Sequence, residues 1–453
     1  MTHVAVVGGG IAGLAAAHRL ADGCDVTVWE GSPRCGGKLA TLDLDGIDLD
    51  VGAESMLARR PEAVALVREI GLGAELVHPG PAQPAVFVGG RPHRLPKSVQ
   101  GVPTDLAALA DLLSADGWAR ARQEPEFAAP PLTGDVAIGQ IVEERFGAEV
   151  TDRLLEPLLG GVYAGRSREL SFAAVAPELY DRARAGGSLS AHAAAIHRPG
   201  GGPVFAGLNG GVGRLASTLA RELVAVGLDI RTGAVARGLR RTGNGFVLAG
   251  AGGEELRADA VIVACPAAPA GRLLSDLVPA APEYAAIPYA STAVVSLAVR
   301  GAQLAGSGLL VPPGELPTIK AITHSSKKWD WVAHRVADRW GEDADLVRIS
   351  VGRRGEEALL QIDDRALMDR TVAEARALPG WSSAQVITST ATRWGGGLPQ
   401  YLVGHRALVD RFRADAAAVP GLAVCGAALD GVGIAACIAS AERAAAEVLA
   451  HLG

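Results

Sequence analysis

The chain has 453 residues, 49% of them hydrophobic, and a formal net charge of −6. This length predicts about three domains, at roughly 150 residues each, with enough apolar residues for large cores. The acidic balance excludes the broad basic surface that nucleic-acid binding needs. No apolar run of about 18 residues is free of charges and helix breakers, so we expect no transmembrane span, while a peripheral membrane contact stays open.

A dinucleotide-binding βαβ unit is predicted at the N-terminus. An aliphatic strand at 3–7 is followed by glycines on the G-x-G-x-x-G spacing, Gly8, Gly10 and Gly13. In that order they permit a tight turn, close backbone approach to a pyrophosphate, and close helix–strand packing. The helix that starts with Ile11 and Ala12 directs unpaired N–H groups at the phosphates. The second strand ends at Glu30, whose carboxylate would accept hydrogen bonds from an adenosine ribose and repel a phosphorylated one.

Further segments favour FAD over a nicotinamide cofactor. The loop GSPRCGGKL follows the second strand directly and can bring a guanidinium and bare amides to a pyrophosphate. Its predicted cofactor-binding residues are Arg34, Gly36, Gly37 and Lys38. Two later strands meet at the hairpin signal Gly243-Asn244-Gly245. Val235, just before this hairpin, lies where a backbone could pair with an adenine edge.

The C-terminal segment LAVCGAALDGVGIAACIAS predicts a strand over 422–425, a glycine-containing loop, and a helix that begins near Ile434. The N-terminus of this helix would face the flavin. Its dipole would stabilise the negative charge of a reduced flavin. The predicted cofactor contacts in this segment are Gly426, Val432, Gly433 and Ile434.

We predict an α/β fold with a Rossmann-like FAD-binding domain, a mixed α+β substrate-binding domain and a helical domain. The FAD-binding domain is discontinuous and takes residues 1–57, 200–275 and 405–453. The substrate-binding domain takes 58–100 and 276–404, with strands at STAVVSLAVRG and DLVRISVGRR in an antiparallel sheet and a helix near 364–377. The helical domain takes 101–199. Its leucine stripe is predicted to pack inside that domain, with a membrane-facing role as the alternative, and consists of Leu106, Leu109, Leu112, Leu113 and Trp118.

Neither a metal site nor a disulfide is predicted. The five cysteines lack metal-binding or C-x-x-C spacing, so we expect the reduced thiols of a cytoplasmic protein. His192 and His197 lie in a Gly- and Ala-rich connector without carboxylate or cysteine companions. We therefore expect them to be solvated loop residues and not metal ligands.

Five motifs carry a resemblance to a known family: DVGAESMLARRP at 50–61, RLLEPLLGGVYAGRSRELS at 153–171, LNGGVGRLASTLA at 208–220, RWGGGLPQYLVGH at 393–405 and GAALDGVGIAACIAS at 426–440. The chain resembles, nearly end to end, the protoporphyrinogen and coproporphyrinogen oxidase family of the amine oxidase superfamily. The short, alanine-rich form is most similar to the soluble bacterial branch. Ala435 and Ala441 depart from the Pro and Gly that are frequent at these positions, which affects how closely the last helix approaches the flavin.

This resemblance implies non-covalent FAD and conversion of coproporphyrinogen III to coproporphyrin III in haem biosynthesis. Removing six electrons would take three rounds of a two-electron flavin, with oxygen as acceptor and hydrogen peroxide as product. No catalytic side chain is assigned, because the flavin N5 would carry the hydride transfer. The family motifs imply cofactor contacts from Gly52, Ala53, Glu54, Ser55 and Trp394, with Tyr401 beside the ring.

Substrate recognition should combine apolar walls with cations, because the porphyrinogen carries propionates. Arg59 and Arg60 are the candidate carboxylate partners. Tyr163 is predicted either to line the cavity or to pack at a helix end. The lysines either bind substrate carboxylates or lie in a solvated loop, and they are Lys320, Lys327 and Lys328. His405 is expected to be a hydrogen-bonded structural histidine.

Three functional alternatives stay open. The first is a coproporphyrinogen III oxidase, and the second is a flavin oxidase acting on protoporphyrinogen IX or on an amine. The third is a non-catalytic flavoprotein within a haem-synthesis assembly. Besides the porphyrinogen and oxygen, the candidate partner is the next enzyme of the haem pathway in a transient contact.

Overall fold

The computed structural model describes residues 2–127, 130–196 and 202–453. Its strands are β1 (His3–Val7), β2 (Asp25–Glu30), β3 (Thr41–Leu44), β4 (Ile47–Asp50), β5 (Met56–Leu57), β6 (Leu76–Val77), β7 (Pro84–Val88), β8 (Arg91–Arg94), β9 (Ser98–Val99), β10 (Val102–Pro103), β11 (Phe205–Leu208), β12 (Asp229–Thr232), β13 (Ala236–Thr242), β14 (Gly245–Gly250), β15 (Glu255–Ala258), β16 (Ala260–Val263), β17 (Tyr289–Arg300), β18 (Gly308–Leu310), β19 (Ile319–His324), β20 (Ala344–Val351), β21 (Gln385–Pro399) and β22 (Leu422–Val424).

The α-helices are α1 (Ile11–Leu20), α2 (Pro61–Glu69), α3 (Ala115–Ala121), α4 (Ile138–Phe146), α5 (Ala148–Val150), α6 (Glu156–Tyr163), α7 (Phe172–Val175), α8 (Pro177–Ala183), α9 (Leu189–Ile196), α10 (Gly213–Ala225), α11 (Ala267–Leu274), α12 (Ala281–Ala285), α13 (Ser325–Lys328), α14 (Asp330–Trp340), α15 (Asp364–Ala375), α16 (His405–Ala417) and α17 (Ile434–Leu452). A π-helical turn at Thr151–Leu155 joins α5 to α6.

Five parallel strands form the sheet that carries the glycine turn. Their order is β12-β2-β1-β16-β22, and all neighbouring pairs run parallel. In the central strand β1, Val6 pairs with Val28 on one side and with Ile262 on the other. Helices cover both faces, which is why the strands read as continuous aliphatic runs. The predicted α/β fold class is confirmed, with the sheet assembled from the start, middle and end of the chain.

Alternate residues of β1 pack into two different cores. Val4 and Val6 lie with α1, α2, α10 and α17 on one face of the sheet. Ala5 and Val7 lie with α11, α12, α16 and the small sheet β13-β14-β15 on the other face. The predicted hairpin at 243–245 joins β13 to β14. Helix α2 was assigned by sequence to the substrate-binding domain, yet it packs in the core of the parallel sheet, and the domain boundaries stay predictions.

A second sheet has seven strands in the order β21-β17-β20-β19-β18-β7-β8. It is antiparallel except where β18 runs parallel to β7. The strands predicted at STAVVSLAVRG and DLVRISVGRR are β17 and β20, and the helix predicted near 364–377 is α15. Leu367 of α15 packs with Trp381 under one face of the sheet. The other face is mixed, because Val86, Val88 and Leu310 pack there with the helical cluster, while Thr292 and Ser350 in the central strands are half-buried.

The segment 101–196 is helical, as predicted, but its first part is less regular than the pattern suggested. The residues 104–114 form a 3-10 turn at Ala107–Leu109 and loops, and α3 begins only after Ser114, whose hydroxyl caps Gly117 N. The leucine stripe is confirmed as core, because Leu109 and Leu112 are fully buried in the helical cluster.

The connector expected to be a solvated loop contains α9, so that expectation is wrong for His192. This side chain lies in the helix and bonds to Gly186 O at 2.9 Å, because a Leu- and Ala-rich run after Gly187 packs as a helix. His197 lies outside the described residues. Among the described helices, none is long and apolar enough to cross a membrane.

Candidate active site

The carboxyl ends of the parallel strands meet at the glycine turn. Gly8 has φ +114°, and a Cβ there would lie 2.9 Å from the main chain of Ala264. A Cβ at Gly13 would lie 1.8 Å from Gly8 O, so only glycine lets α1 approach the strand this closely. At Gly10 no atom lies within 4 Å of the Cβ position. The first and third glycines thus shape the turn, while Gly10 faces open space before α1, whose first turn holds Ile11 and Ala12.

The loop after β2 lies directly against this turn. Gly36 N donates to Gly9 O at 2.8 Å, and a Cβ at Gly37, which has φ +55°, would lie 3.4 Å from Gly10 Cα. Arg34 is exposed, and its guanidinium donates to Gly37 O at 2.8 Å. The backbone of Gly36 and Gly37 and the Arg34 guanidinium therefore lie beside the open space at Gly10.

Glu30 lies at the carboxyl end of β2 and braces the turn. Its carboxylate accepts hydrogen bonds from Gly9 N at 2.6 Å and from Ser32 N at 2.7 Å. Val235 is close by, because its side chain would be 3.5 Å from a Cβ at Gly31. The carbonyl of Val235 already accepts a hydrogen bond from Ala251 N at 2.9 Å.

The N-terminus of α17 is the second open helix end of the site. Gly433 caps it without a side-chain hydrogen bond, and no atom lies within 4 Å of its Cβ position. Ile434 begins the helix, and Val432 packs against the helical cluster. Gly426, with φ +128°, donates its N–H to Ser440 Oγ at 3.2 Å. In the first turn, Cys437 lies within electrostatic range of Lys38, whose pKa is lowered by burial. The Lys38 ammonium and the positive end of the α17 dipole therefore lie close together, near Cys437.

The residues Gly52 and Ala53 lie between Lys38 and β21. A Cβ at Gly52 would lie 1.9 Å from Lys38 O and 3.2 Å from the Trp394 ring, and Ala53 N donates to Lys38 O at 3.1 Å. Trp394 donates its indole N–H to Val51 O at 2.8 Å. The structure therefore brings the predicted residues Lys38, Gly52, Ala53 and Trp394 into one group, with half-buried Ser55 beyond them.

Glu54 is held by protein partners. Its carboxylate accepts hydrogen bonds from Trp329 at 3.0 Å and Lys328 at 3.2 Å, and Arg348 Nη1 lies 3.1 Å away. Burial alone would raise the pKa of Glu54, but Lys328 and Arg348 outweigh it and lower the pKa to about 2. Arg348 also donates to Gly52 O at 2.7 Å, so this network ties the seven-stranded sheet to the cofactor-side loop.

Arg348 and Trp329 were not predicted from the sequence as members of this network, because they belong to no recognisable motif. The solvated-loop interpretation is wrong for Lys320 and Lys328, whereas Lys327 is exposed, as that interpretation expected, but lies in helix α13. Lys328 pairs with Glu54, Lys327 pairs with Asp345 at 3.1 Å, and Lys320 is buried in β19.

Three rings lie in a row beside the last glycine loop. Tyr163, at the end of α6, is buried with its ring 5.6 Å from that of Tyr401, and Tyr401 stacks on His405 at 3.9 Å. Tyr401 donates its hydroxyl to Ala427 O, and His405 lies 3.3 Å from Leu429 O. Burial raises the pKa of Tyr163 to about 12 and lowers that of His405 to about 4, so both are neutral at pH 7. His405 thus occupies a packed, hydrogen-bonded position.

Arg59 and Arg60 are exposed just before α2. Arg60 donates to Glu62 at 2.7 Å, and its nearby charges include Asp430 of the last glycine loop. Both arginines therefore lie on the surface, with Arg60 near the C-terminal glycine loop, whereas Tyr163 lies in the interior.

The described residues fit a flavin dinucleotide. Two helix N-termini, each with an open glycine cap, provide unpaired N–H groups for an anion, and Lys38 adds a half-buried cation. Burial raises the pKa of all five thiols, that of Cys437 to about 11 and that of Cys265 to about 12. None of them is activated as a nucleophile.

Comparison with known proteins agrees with this site. The family model described as flavin containing amine oxidoreductase matches residues 11–449. The chain is 36% identical to a protein named coproporphyrinogen III oxidase from Mycobacterium tuberculosis, over 99% of this chain and 97% of the relative. A protein of the same name from Bacillus subtilis is 31% identical, over 99% and 98% of the two chains.

A crystal structure from Exiguobacterium sp. 255-15, provisionally named as a protoporphyrinogen oxidase, aligns with a TM-score of 0.85 and 28% identity, over 100% of this chain and 99% of that one. The chain therefore belongs to the flavin-containing amine oxidoreductase family, and it is an oxidoreductase that uses a flavin cofactor.

Proposed function

We propose that this protein is an FAD-dependent oxidase that converts coproporphyrinogen III to coproporphyrin III in haem biosynthesis, using oxygen and releasing hydrogen peroxide. The names of the full-length relatives support the substrate class. The structural observation that carries the proposal is the electrostatic state of the side chains around the glycine loops. Tyr163 and His405 are held neutral, and Glu54 is an ion-paired carboxylate, so none is poised as a nucleophile or general base.

Such a site suits a substrate whose oxidation depends on the cofactor. When bound, the flavin supplies a two-electron acceptor, so removing six electrons and six protons from a porphyrinogen takes three turnovers and reduces three oxygen molecules to hydrogen peroxide. The contribution of the chain is to position the macrocycle and to stabilise charge. Lys38 and the N-terminus of α17 together favour negative charge beside Gly433.

We assign FAD because Glu30 and the loop at Arg34 provide for an adenosine ribose and a pyrophosphate. The proposed contacts are the glycines and loop residues placed above, with Val235 at the adenine. The cofactor is proposed to be non-covalent, because the five thiols have raised pKa values. We further propose a cytoplasmic location and a transient contact with the next enzyme of the pathway.

Anaerobic mixing of the yellow protein with coproporphyrinogen III tests the proposal. We expect the flavin absorbance to bleach on anaerobic mixing. When air is admitted, the absorbance should return and porphyrin fluorescence should appear. Heat denaturation should release free FAD into the filtrate. The flavin-free protein is the control for autoxidation. A flavin that protoporphyrinogen IX bleaches and coproporphyrinogen III does not would instead favour the protoporphyrinogen alternative, and a flavin that neither bleaches would contradict both.

A further inference from the structure

Strand β19 contains a bulge at Lys320. Ile319 pairs with Val351, while Ala321 pairs with Ser350, so Lys320 is an extra residue between the two pairs. Ile319 and Ile322 both pack in the apolar core under the sheet. Residues three apart face opposite sides of a regular strand, so the bulge is what allows this. Because of the bulge, Lys320 and Ala321 do not pack in that core.

Ala321 and Ser350 lie on the sheet face that meets the cofactor loops. On this face, Thr323 pairs with Arg348, which donates to Gly52 O. Trp394, which touches Gly52, comes from β21 at the other end of the same sheet. The bulge therefore lies on the same sheet face as the side chain that bonds to the cofactor-side loop at Gly52.

Helix α6 covers the bulge. It packs against β18 and β19, and a Cβ at Gly161 would lie 3.7 Å from Leu310, while one at Gly160 would lie 3.6 Å from Arg353 Nε. Arg353 is 3% exposed and donates to Val311 O at 2.6 Å, and its buried Nε has no partner among the described residues. Lys320 is 6% exposed, and its pKa is lowered to about 7 by burial and by Arg353. A second cation thus lies beside Lys320.

The two carboxylates of this region are already paired. Glu156 accepts from Ser167 N at 2.7 Å, with Arg166 at 3.7 Å, and Glu356 lies 2.8 Å from Arg166 and 3.5 Å from Arg353. No carboxylate forms an ion pair or hydrogen bond with the Lys320 ammonium in the part of the chain described. Glu356 acts on Lys320 electrostatically, but it is already shared by Arg166 and Arg353, so an incoming anion would still lower the cost of burying the Lys320 cation.

We propose that Lys320, with Arg353 beside it, receives a propionate carboxylate at the inner end of the substrate space and so selects a tetracarboxylate porphyrinogen over a dicarboxylate one. This inference rests on the proposed function. Protoporphyrinogen has vinyl groups where coproporphyrinogen has two of its propionates. A dicarboxylate can keep both carboxylates at the solvent-exposed mouth and place its vinyl edge inside. A tetracarboxylate cannot, so at least one carboxylate must meet a cation in the interior.

The test compares Lys320→Met with Lys97→Met, a control at an exposed lysine outside the site, using FAD-loaded protein and both porphyrinogens. We expect Lys320→Met to raise KM for coproporphyrinogen III about tenfold or more, which is the loss of one charge-assisted hydrogen bond. Its kcat, and both constants for protoporphyrinogen IX, should stay within about twofold. Lys320→Arg should retain most of the preference.

Equal effects of Lys320→Met on both substrates, or no effect on either, would overturn the inference while leaving the proposed function intact. If Lys320→Met loses its flavin, Lys320→Gln answers the same question with a polar, uncharged side chain. Flavin loss in both variants would assign Lys320 a structural role and contradict the proposal. Wild-type protein that oxidises neither porphyrinogen would remove the proposed function and this inference together.

Discussion

The cofactor side and the substrate side of the site are built in different ways. The cofactor side is made mainly of backbone, because Gly8, Gly10 and Gly13 act through their missing side chains and α1 and α17 act through their N–H groups. The side proposed to hold the substrate is made of side chains from a sheet and a helix far apart in sequence, such as Arg348 and Tyr163. A backbone site leaves a local sequence pattern, and a side-chain site of this kind does not.

Gly10→Val should have the largest effect, because its side chain would occupy the open space proposed for the pyrophosphate. We expect flavin content and activity to fall by at least about a hundredfold, as direct steric exclusion of a cofactor implies. The melting temperature of the flavin-free protein should not change, because no atom lies near the Cβ position.

The matched control is Gly23→Val, at an exposed turn glycine whose Cβ position is also open. It should retain flavin and activity. Normal flavin content in Gly10→Val would show that the cofactor does not bind at this turn.

Glu54→Gln tests the link between the two sides. It removes the carboxylate that pairs with Lys328 and Arg348, and leaving these cations without their partner should lower the free energy of unfolding by about 3 kcal/mol. Urea unfolding measures the change. Glu283→Gln, which breaks an exposed pair with Arg411, should cost less than about 1 kcal/mol.

The same carboxylate predicts a pH dependence. The pKa of Glu54 falls from 4.5 to about 2 on folding, so its stabilisation is present above pH 4.5 and is lost as the pH falls toward 2. This shift corresponds to about 3 kcal/mol. The difference in unfolding free energy between wild-type protein and Glu54→Gln should therefore narrow as the pH falls from 5 to 3, and a constant difference over that range would contradict the assignment.

Gly13→Ala should destabilise the fold by about 1 to 3 kcal/mol, because its methyl group would overlap Gly8 O and force α1 away from β1. Thermal unfolding of the flavin-free protein measures this, with Gly23→Ala as control. An unchanged melting temperature would mean that α1 packs less closely than described. Together with Gly10→Val, this variant separates the glycine that shapes the fold from the glycine that makes room for the ligand.

Trp394→Phe should have the smallest effect. It keeps a ring beside Gly52 and loses the hydrogen bond to Val51 O, so we expect FAD to bind about fivefold more weakly, equivalent to about 1 kcal/mol. Flavin fluorescence on titration measures the affinity. Tighter binding by the variant would contradict the proposed place of this tryptophan.

These differences explain what the sequence could predict. The strands at 3–7 and 422–424, the start of α17 at Ile434 and the hairpin at 243–245 follow from local patterns of glycine and aliphatic residues. The paired state of Glu54 does not, because its partners come from α13, β20 and the residue between α13 and α14. The bulge at Lys320 could not be predicted either, because an extra residue in a strand changes the strand pairing without changing the composition of the strand.

Helix α9 shows the opposite error. Glycines on both sides of the connector favoured a loop, but tertiary contacts stabilise a short helix there, as Glu124 accepts hydrogen bonds from Leu189 N and Ser190 N at its start. Glu124 lies 65 residues before Leu189 in the sequence. Local composition alone could not reveal this cap.

The central claim is most directly tested by following coproporphyrinogen III and protoporphyrinogen IX side by side in air with FAD-loaded protein, measuring porphyrin fluorescence and hydrogen peroxide together. We predict faster turnover of coproporphyrinogen III, with three molecules of peroxide for each porphyrin formed, as the six-electron balance requires. Faster turnover of protoporphyrinogen IX would contradict the substrate assignment, and the absence of turnover of both would contradict the account as a whole.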